Sequence, residues 1–305
     1  MMNMQEKGSP TVKSVSMVKS ATVKSATVKS VLAVAARESM ANVKPWLIWS
    51  VAIVLFNIAG VMKFEGVAAG DPDAVRKLTD AFPKVALAVM GISDLDMSTF
   101  AGYYAVLEFY AGIMAAVYAV ALARNAVLRE LTDGTYEFLF VRPVTRTAIL
   151  TAKFAAALGD AVAFVAVNVV SSLLCLGLLG DVRGLDEGAA AIVIWRFSVW
   201  LFAVMLVFGA VSACAAAVCR RPDRGAAAGN ASVIVAYCAG VAYDMLSDHD
   251  ASVVFRLLSP FRYATPDEVI DGRAPAAFSV LAALIVLAGF ATAYVAFSRR
   301  DLASR

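Results

Sequence analysis

The chain has 305 residues, of which 61% are apolar and 17% are charged, and its mean hydropathy is +0.75. Soluble domains average about 45–50% apolar and about 25% charged residues, and one soluble core does not grow large enough to bury such an excess. A net charge of +3 and a single histidine exclude a nucleic-acid-binding protein and most soluble enzyme classes. The composition therefore indicates an integral membrane protein.

The first thirty residues are a separate basic segment of low complexity. The triplet VKS recurs four times between residues 12 and 30, and its lysines are spaced so that they share no helix face. The segment has no apolar run long enough for a cleavable signal peptide. We predict that residues 1–30 are a solvated cytoplasmic tail, with weak attraction to anionic lipid as the alternative. Residues 31–44 are predicted to form an interfacial helix before the first span.

Uncharged runs mark the membrane spans, because a charge at mid-bilayer costs about 2.5–3.5 kcal/mol. Six such runs occur. The second is interrupted once, by Glu108, and the other five carry no charged residue. The six runs cover residues 45–62, 97–123, 161–180, 197–219, 225–243 and 274–298. About 20 apolar residues cross the hydrocarbon, and no segment alternates with the period of two that a barrel requires. The sequence predicts an all-α integral membrane domain of six transmembrane helices over residues 31–305.

The distribution of positive charge predicts the orientation of these spans. Eighteen Lys and Arg residues lie on the side of the two termini, and nine lie on the opposite side. Because positively charged loops stay in the cytoplasm, both termini are predicted to be cytoplasmic. The loop between the second and third spans is then cytoplasmic as well.

Motifs for catalysis or metal binding are absent from these 305 residues. The patterns G-x-x-x-x-G-K-[ST], H-E-x-x-H, G-x-S-x-G and C-x-x-C do not occur. His249 lies in a predicted outer loop, and all four cysteines fall in predicted spans, where they behave as small apolar residues. We therefore predict no catalytic residue, no metal site and no cofactor on this chain.

Two acidic residues lie at or near membrane depth. Glu108 is near the middle of the second span, one helical turn after Tyr104, and an intramembrane carboxylate suggests a functional site. Glu108, Tyr104 and Asn57 are therefore candidates for the wall of a conduit. The alternative is a packing role in which Glu108 bonds to Asn57 or to a tyrosine. Asp160 is predicted to be structural and to share a helix face with Lys153.

The segment of residues 123–154, between the second and third spans, differs from a generic loop. Charges and a glycine precede four consecutive apolar residues, Phe138 to Val141, and Pro143 ends that piece. Thr145 suits the N-cap of a helix that begins at Arg146. An apolar cluster on the cytoplasmic side indicates a docking element, with an interfacial helix as the alternative.

The stretch ELTDGTYEFLFVRPVTRTAILTAKF closely resembles the cytoplasmic loop of ABC transporter permeases of the type-2 (ABC-2 type) exporter family. The matching residues are Glu130, Gly134, Thr135, Glu137, Pro143, Val144, Thr145, Arg146 and Lys153. Three further stretches are similar to that family: FPKVALAVMGIS in the first outer loop, SPFRY in the last outer loop and FSRRDL near the C-terminus. The resemblance extends over nearly the whole chain from about residue 31 and leaves out the VKS repeats.

The resemblance implies a permease subunit that pairs with a second permease, identical or related, and with two separate ATP-binding cassette subunits that hold MgATP. In that family the cytoplasmic loop forms a coupling helix in a groove of the ATPase, which drives the permease between inward-facing and outward-facing states. The expected contact residues are Glu130, Asp133, Gly134, Thr135, Glu137, Pro143 and Arg146. The expected location is the cell membrane of a prokaryote, with the lipid bilayer and no nucleic acid as a partner.

The sequence is also compatible with two other functions. A secondary transporter would use Glu108 as an ion or proton site without an ATPase, although the paired broken helices or repeat symmetry of such proteins are not seen. A non-transport membrane subunit would instead use residues 130–146 to dock another protein. The low charge of the spans favours an amphipathic or apolar cargo.

Overall fold

The computed structural model describes residues 12–92, 95–134, 145–179, 185–247 and 249–299, with side chains from residue 31 onwards except that of Pro72. The described residues form α-helices and one short 3-10 turn, at Pro260–Arg262. In chain order the helices are α1 (Val12–Ala68), α2 (Pro72–Asp80), α3 (Lys84–Met90), α4 (Phe100–Asp133), α5 (Arg146–Leu178), α6 (Glu187–Val218), α7 (Pro222–Met245), α8 (Ser252–Leu258), α9 (Pro266–Asp271) and α10 (Ala276–Arg299).

Six of these helices are long and apolar enough to cross a membrane: α1 from Val31 onwards, α4, α5, α6, α7 and α10. The prediction of an all-helical protein with six membrane-spanning helices is confirmed. The helices are longer than the uncharged runs that predicted them, since α4 continues past Arg124 as far as Asp133. A run without charges therefore measures the hydrocarbon-crossing part of a helix rather than its ends.

The N-terminal helix differs from the prediction. Residues 31–44 are not a separate helix, because α1 runs without interruption through Pro45 into the first span. Val34, Glu38 and Asn42, at spacings of four, are all buried, so this stretch of α1 packs against other helices along one face. Its apolar contact is with the first turns of α5. The structure places residues 12–30, which include the VKS repeats, in the same helix.

The centre of the bundle is formed by α4 and α6, while α10 lies at its edge and is the least buried of the six long helices. Small residues allow the closest contacts between helices. At Gly289 of α10, an added Cβ atom would lie 2.8 Å from the carbonyl oxygen of Ala210 on α6. Gly289 therefore fixes where α10 rests on the central helix.

The connection from α3 to α4 is held by one aspartate. Asp96 accepts hydrogen bonds from the hydroxyl and the backbone N–H of Ser98, at 2.6 and 3.0 Å, and pairs with Arg76 at 3.2 Å. The hydrogen bonds from Ser98 favour the ionised carboxylate and lower the pKa of Asp96 below its usual value. Thr99 then caps α4 by accepting the backbone N–H of Gly102 at 3.1 Å.

Candidate functional site

The two stems of the loop between α4 and α5 are well defined. Gly134 ends α4 in the left-handed conformation, at φ 67°, and its N–H donates to the carbonyl of Glu130. Thr145 begins α5 as its N-cap, as predicted, and its hydroxyl accepts the N–H of Ala148 at 3.3 Å. Residues 135–144 between the stems lie outside the described residues, and the predicted coupling helix falls there.

The structure places the predicted contact residues in three different settings. Asp133 and Gly134 are exposed at the end of α4, and Arg146 is half-buried at the start of α5. Glu130 is buried instead, with 6% exposure, and its carboxylate points into the bundle. Thr135, Glu137 and Pro143 lie outside the described residues.

A buried ion pair joins the two stems. Lys153 of α5 donates to the carboxylate of Glu130 of α4, with 2.5 Å between Nζ and Oε2. The same ammonium group lies 3.4 Å from the carboxylate of Glu38 on α1. Only 2% of Lys153 is exposed, so these two carboxylates replace the water that its charge would otherwise require. The pair therefore ties α4 and α5 together just inside the loop and attaches both helices to α1.

Arg129 extends the same network along α1. Its guanidinium donates to Glu38 at 2.8 Å and to the side-chain oxygen of Asn42 at 2.6 Å. Asn42 in turn donates to the carboxylate of Asp160 on α5, at 2.7 Å. Lys153 and Asp160 both face α1, as expected from their spacing of seven. We call Glu38, Asn42, Arg129, Glu130, Lys153 and Asp160 the stem network.

The sequence held a signal for part of the stem network. Glu38 and Asn42 are one helical turn apart in a stretch otherwise suited to apolar packing, so their spacing predicts that both side chains lie on one polar face of the helix. The residues that bind Glu38 and Asn42 could not be predicted, because partners such as Lys153 are far from them in the chain. Only the assembled bundle shows that the N-terminal part of α1 adjoins both stems of the loop.

A second polar cluster lies deeper in the bundle, around Glu108. Tyr104 donates to Glu108 Oε1 at 2.5 Å, and Asn168 of α5 donates to the same oxygen at 2.9 Å. Asn57 of α1 reaches Asn168 at 2.9 Å and Ser171 at 2.8 Å. These side chains hold α1, α4 and α5 together at membrane depth by hydrogen bonds.

The three conduit candidates, Asn57, Tyr104 and Glu108, are at most 1% exposed. They lie inside this subunit, and a tyrosine bonds directly to Glu108, as the packing alternative proposed. Asn57 reaches the glutamate only through Asn168. Asn168, which the sequence analysis did not single out, is the residue that connects the two. A role of this cluster in a conduit stays a prediction.

The SPFRY stretch lies at the other end of the bundle, and most of its side chains are buried. Phe261 is 1% exposed, and its ring packs 5.0 Å from that of Phe208 on α6. Arg262 forms a buried ion pair with Asp244 at the end of α7, and its guanidinium lies 5.2 Å from the ring centre of Phe109. This motif therefore anchors the segment between α7 and α10 inside the helix bundle.

The described residues contain no group of His, Cys, Asp and Glu side chains that could hold a metal ion. The stem network instead joins three helices, α1, α4 and α5, next to the end of α4 and the start of α5.

Comparison with known proteins agrees with this arrangement. Residues 32–302 match the family model described as ABC-2 family transporter protein. No curated protein matches the chain. The match spans all six long helices, α1 from residue 32 onwards, and both stems of the loop, and it leaves out all four VKS repeats. The chain is therefore a multi-pass membrane protein that belongs to the ABC-2 transporter family and is the permease of an ABC transporter.

Proposed function

We propose that this chain is the membrane subunit of an ATP-driven exporter and moves cargo out of the cytoplasm by alternating access. A separate ATP-binding cassette subunit supplies MgATP binding and hydrolysis, and the chain itself is not an enzyme. A second permease subunit, identical or related, completes the transport path. Both termini and the loop between α4 and α5 face the cytoplasm of a prokaryotic cell.

The observation that carries this proposal is the stem network beneath the loop. A loop on flexible stems would absorb a push from the ATPase, whereas stems joined by a buried ion pair move together. Glu38 then passes the displacement to α1, because the ammonium of Lys153 and the guanidinium of Arg129 both bind its carboxylate. Three of the six spans would therefore respond to one contact.

The Glu108 cluster gives this movement a second point of attachment. It joins the same three helices, α1, α4 and α5, at greater depth. Helices fixed at two levels move as a rigid group, which is the kind of two-state change that nucleotide binding can bias. We infer that α1, α4 and α5 form the moving unit and that the ATPase contacts it through Asp133, Gly134, Arg146 and the intervening residues.

Gly134→Pro should abolish ATP-dependent transport while the protein still inserts in the membrane. Proline cannot adopt φ 67°, and it removes the N–H that bonds to Glu130, so the chain must leave α4 in another direction. Transport in proteoliposomes with the ATPase subunit, together with the amount of membrane-inserted protein, measures the effect. Glu137→Lys, in the intervening loop, should have the same effect by reversing a charge at the contact.

Gly134→Ala is the matched control for this change. An added Cβ at Gly134 meets nothing within 4 Å, so only the left-handed backbone conformation penalises it, by about 1 kcal/mol. The alanine variant should keep most of the transport. Full activity in both Gly134→Pro and Glu137→Lys would show that the loop does not couple the subunits.

The alternative of a secondary transporter makes a different prediction for Glu108→Gln. If Glu108 is a packing residue, glutamine still accepts the hydrogen bonds from Tyr104 and Asn168 through its amide oxygen, and ATP-dependent transport should fall by less than about threefold. A proton-coupled transporter should lose function with this variant and be indifferent to ATP depletion. Transport with and without ATP, in both proteins, separates the two functions.

An amphipathic or apolar cargo fits the interior of the bundle best. The fixed charges of the stem network are engaged with one another, and Arg262 is paired with Asp244. Apart from Glu108, the rest of the described interior is lined by apolar side chains and neutral hydrogen-bonding groups. Transport of a small inorganic ion as the sole cargo would contradict this part of the proposal.

A further inference from the structure

A cavity of about 410 Å³ lies between α6, α10 and the outer segment of residues 260–274. On α6 its wall includes Trp195, Val199, Ala203 and Val207, which follow one another at spacings of four and so form one face of the helix. Trp195 and Val199 are 63% and 57% exposed, so the cavity opens on the surface of the bundle. It ends before the level at which Gly289 brings α10 against α6.

The depth of the cavity matches one leaflet of a bilayer. Its lining on α6 runs from Trp195 to Val207, which is about 18 Å at a rise of about 1.5 Å per residue. The hydrocarbon core is about 30 Å thick, so this length is close to half of it. Arg196 borders the uncharged run of this span, and Trp195 and Tyr263 lie near it, as aromatic residues do at the membrane surface. The cavity therefore extends from the headgroup level towards the bilayer centre.

The charged residues at the mouth leave one positive charge unbalanced. Glu268 lines the cavity, but its carboxylate is paired with Arg256 at 2.6 Å. Arg196 donates to the backbone carbonyl of Ile270 and forms no ion pair with the residues that the structure describes. Tyr263 adds no charge, since a phenol is protonated at neutral pH and burial raises its pKa further.

Gly272 holds Arg196 in place at this mouth. Gly272 has φ +71°, and a Cβ atom there would lie 2.9 Å from the central carbon of the Arg196 guanidinium. The glycine thus gives the guanidinium room beside the outer segment, and the hydrogen bond to Ile270 fixes its direction. A positioned guanidinium at headgroup depth is suited to a phosphate group, to which it can donate two parallel hydrogen bonds.

We propose that this cavity binds one acyl chain of an anionic phospholipid, whose phosphate pairs with Arg196. The apolar walls on α6 and α10 accept the chain, and the single unbalanced arginine selects a headgroup with net negative charge. The bound lipid fills the gap where α10 diverges from α6 on the outer side of the Gly289 contact. In the predicted orientation this lipid belongs to the outer leaflet. The site is independent of the stem network and of the proposed ATP-driven mechanism.

Native mass spectrometry of the delipidated chain, titrated with dioleoyl-phosphatidylglycerol or dioleoyl-phosphatidylcholine, tests the proposal. The wild-type protein should retain one phosphatidylglycerol in preference to phosphatidylcholine. Arg196→Gln should lower the retained phosphatidylglycerol by about fivefold, the value of one arginine at a lipid surface, and Arg196→Lys should keep the preference. Ala282→Phe, which fills the cavity from α10, should reduce retention of either lipid.

Two control variants make the result specific to the cavity. Arg273→Gln removes the same charge from the same side of the protein, and Leu287→Phe adds an aromatic ring on α10, but neither residue lines the cavity. Both should retain phosphatidylglycerol like the wild type. Equal retention of the two lipids by the wild type, or an equal loss in Arg196→Gln and Arg273→Gln, would overturn the proposal. If Arg196→Gln fails to fold, retention by Ala282→Phe equal to that of Leu287→Phe would overturn it as well.

Discussion

Lys153→Met should destabilise the protein by about 3–5 kcal/mol and abolish ATP-dependent transport, because it leaves the carboxylates of Glu130 and Glu38 facing each other without their shared ammonium group. Methionine has a similar length and no charge, so the change removes the ion pair and little of the packing. Thermal unfolding in detergent measures the loss of stability, and transport in proteoliposomes measures the loss of coupling.

Two comparisons isolate the ion pair from a general effect of losing a lysine. Lys44→Met removes an exposed lysine of α1 and should change stability by less than about 0.5 kcal/mol. Glu38 keeps its ion pair with Arg129, so Glu130 is the carboxylate that Lys153→Met leaves without a cation. Adding Glu130→Gln removes that charge and should recover part of the stability, because the effects of substitutions at contacting residues do not simply add. A Lys153→Met protein with wild-type stability and full transport would rule out a structural role for the stem network.

The second large effect is expected at the opposite end of the bundle. Arg262→Leu should destabilise the protein by about 3–5 kcal/mol, because Asp244 loses its buried arginine and Phe109 loses the guanidinium over its ring. The outer segment should then leave the bundle more often, which exposes Arg256 to trypsin. The rate of tryptic cleavage after Arg256 and the thermal unfolding temperature measure these two consequences.

Arg273→Leu is the matched control for that change. Its ion pair with Asp271 is exposed at the surface, where solvent screens the attraction, so cleavage and stability should stay close to those of the wild type. If Arg262→Leu and Arg273→Leu behave alike, the SPFRY stretch does not anchor the outer segment.

The membrane-spanning part of the fold was predictable because the penalty for a charge in hydrocarbon limits each span. All six uncharged runs became helices, and Thr99 and Thr145 cap α4 and α5 where short polar side chains are favoured. The ends of the helices were less predictable. Past Arg124, α4 continues for two more turns, because charged residues at the membrane surface can stay helical and bind other helices there.

The sequence does not predict which helices pack against each other. A spacing of four or seven shows which residues share a face, as for Glu38 with Asn42 and Lys153 with Asp160, but not which helix that face meets. For this reason the burial of Glu130 was not predicted. The motif suggested a residue at the partner surface, whereas its carboxylate bonds to Lys153 inside the bundle. The role that we infer for Glu130 in coupling is therefore to hold the stems of the loop together.

Affinity purification of this chain from its own host in mild detergent, with the co-purifying proteins identified by mass spectrometry, tests the central claim most directly. The account predicts recovery of a soluble-type subunit with a Walker A motif from wild-type cells, and a much smaller amount with Gly134→Pro. Recovery of the chain alone, or only with itself, under conditions that preserve known complexes would contradict the proposal that a separate ATPase drives this permease.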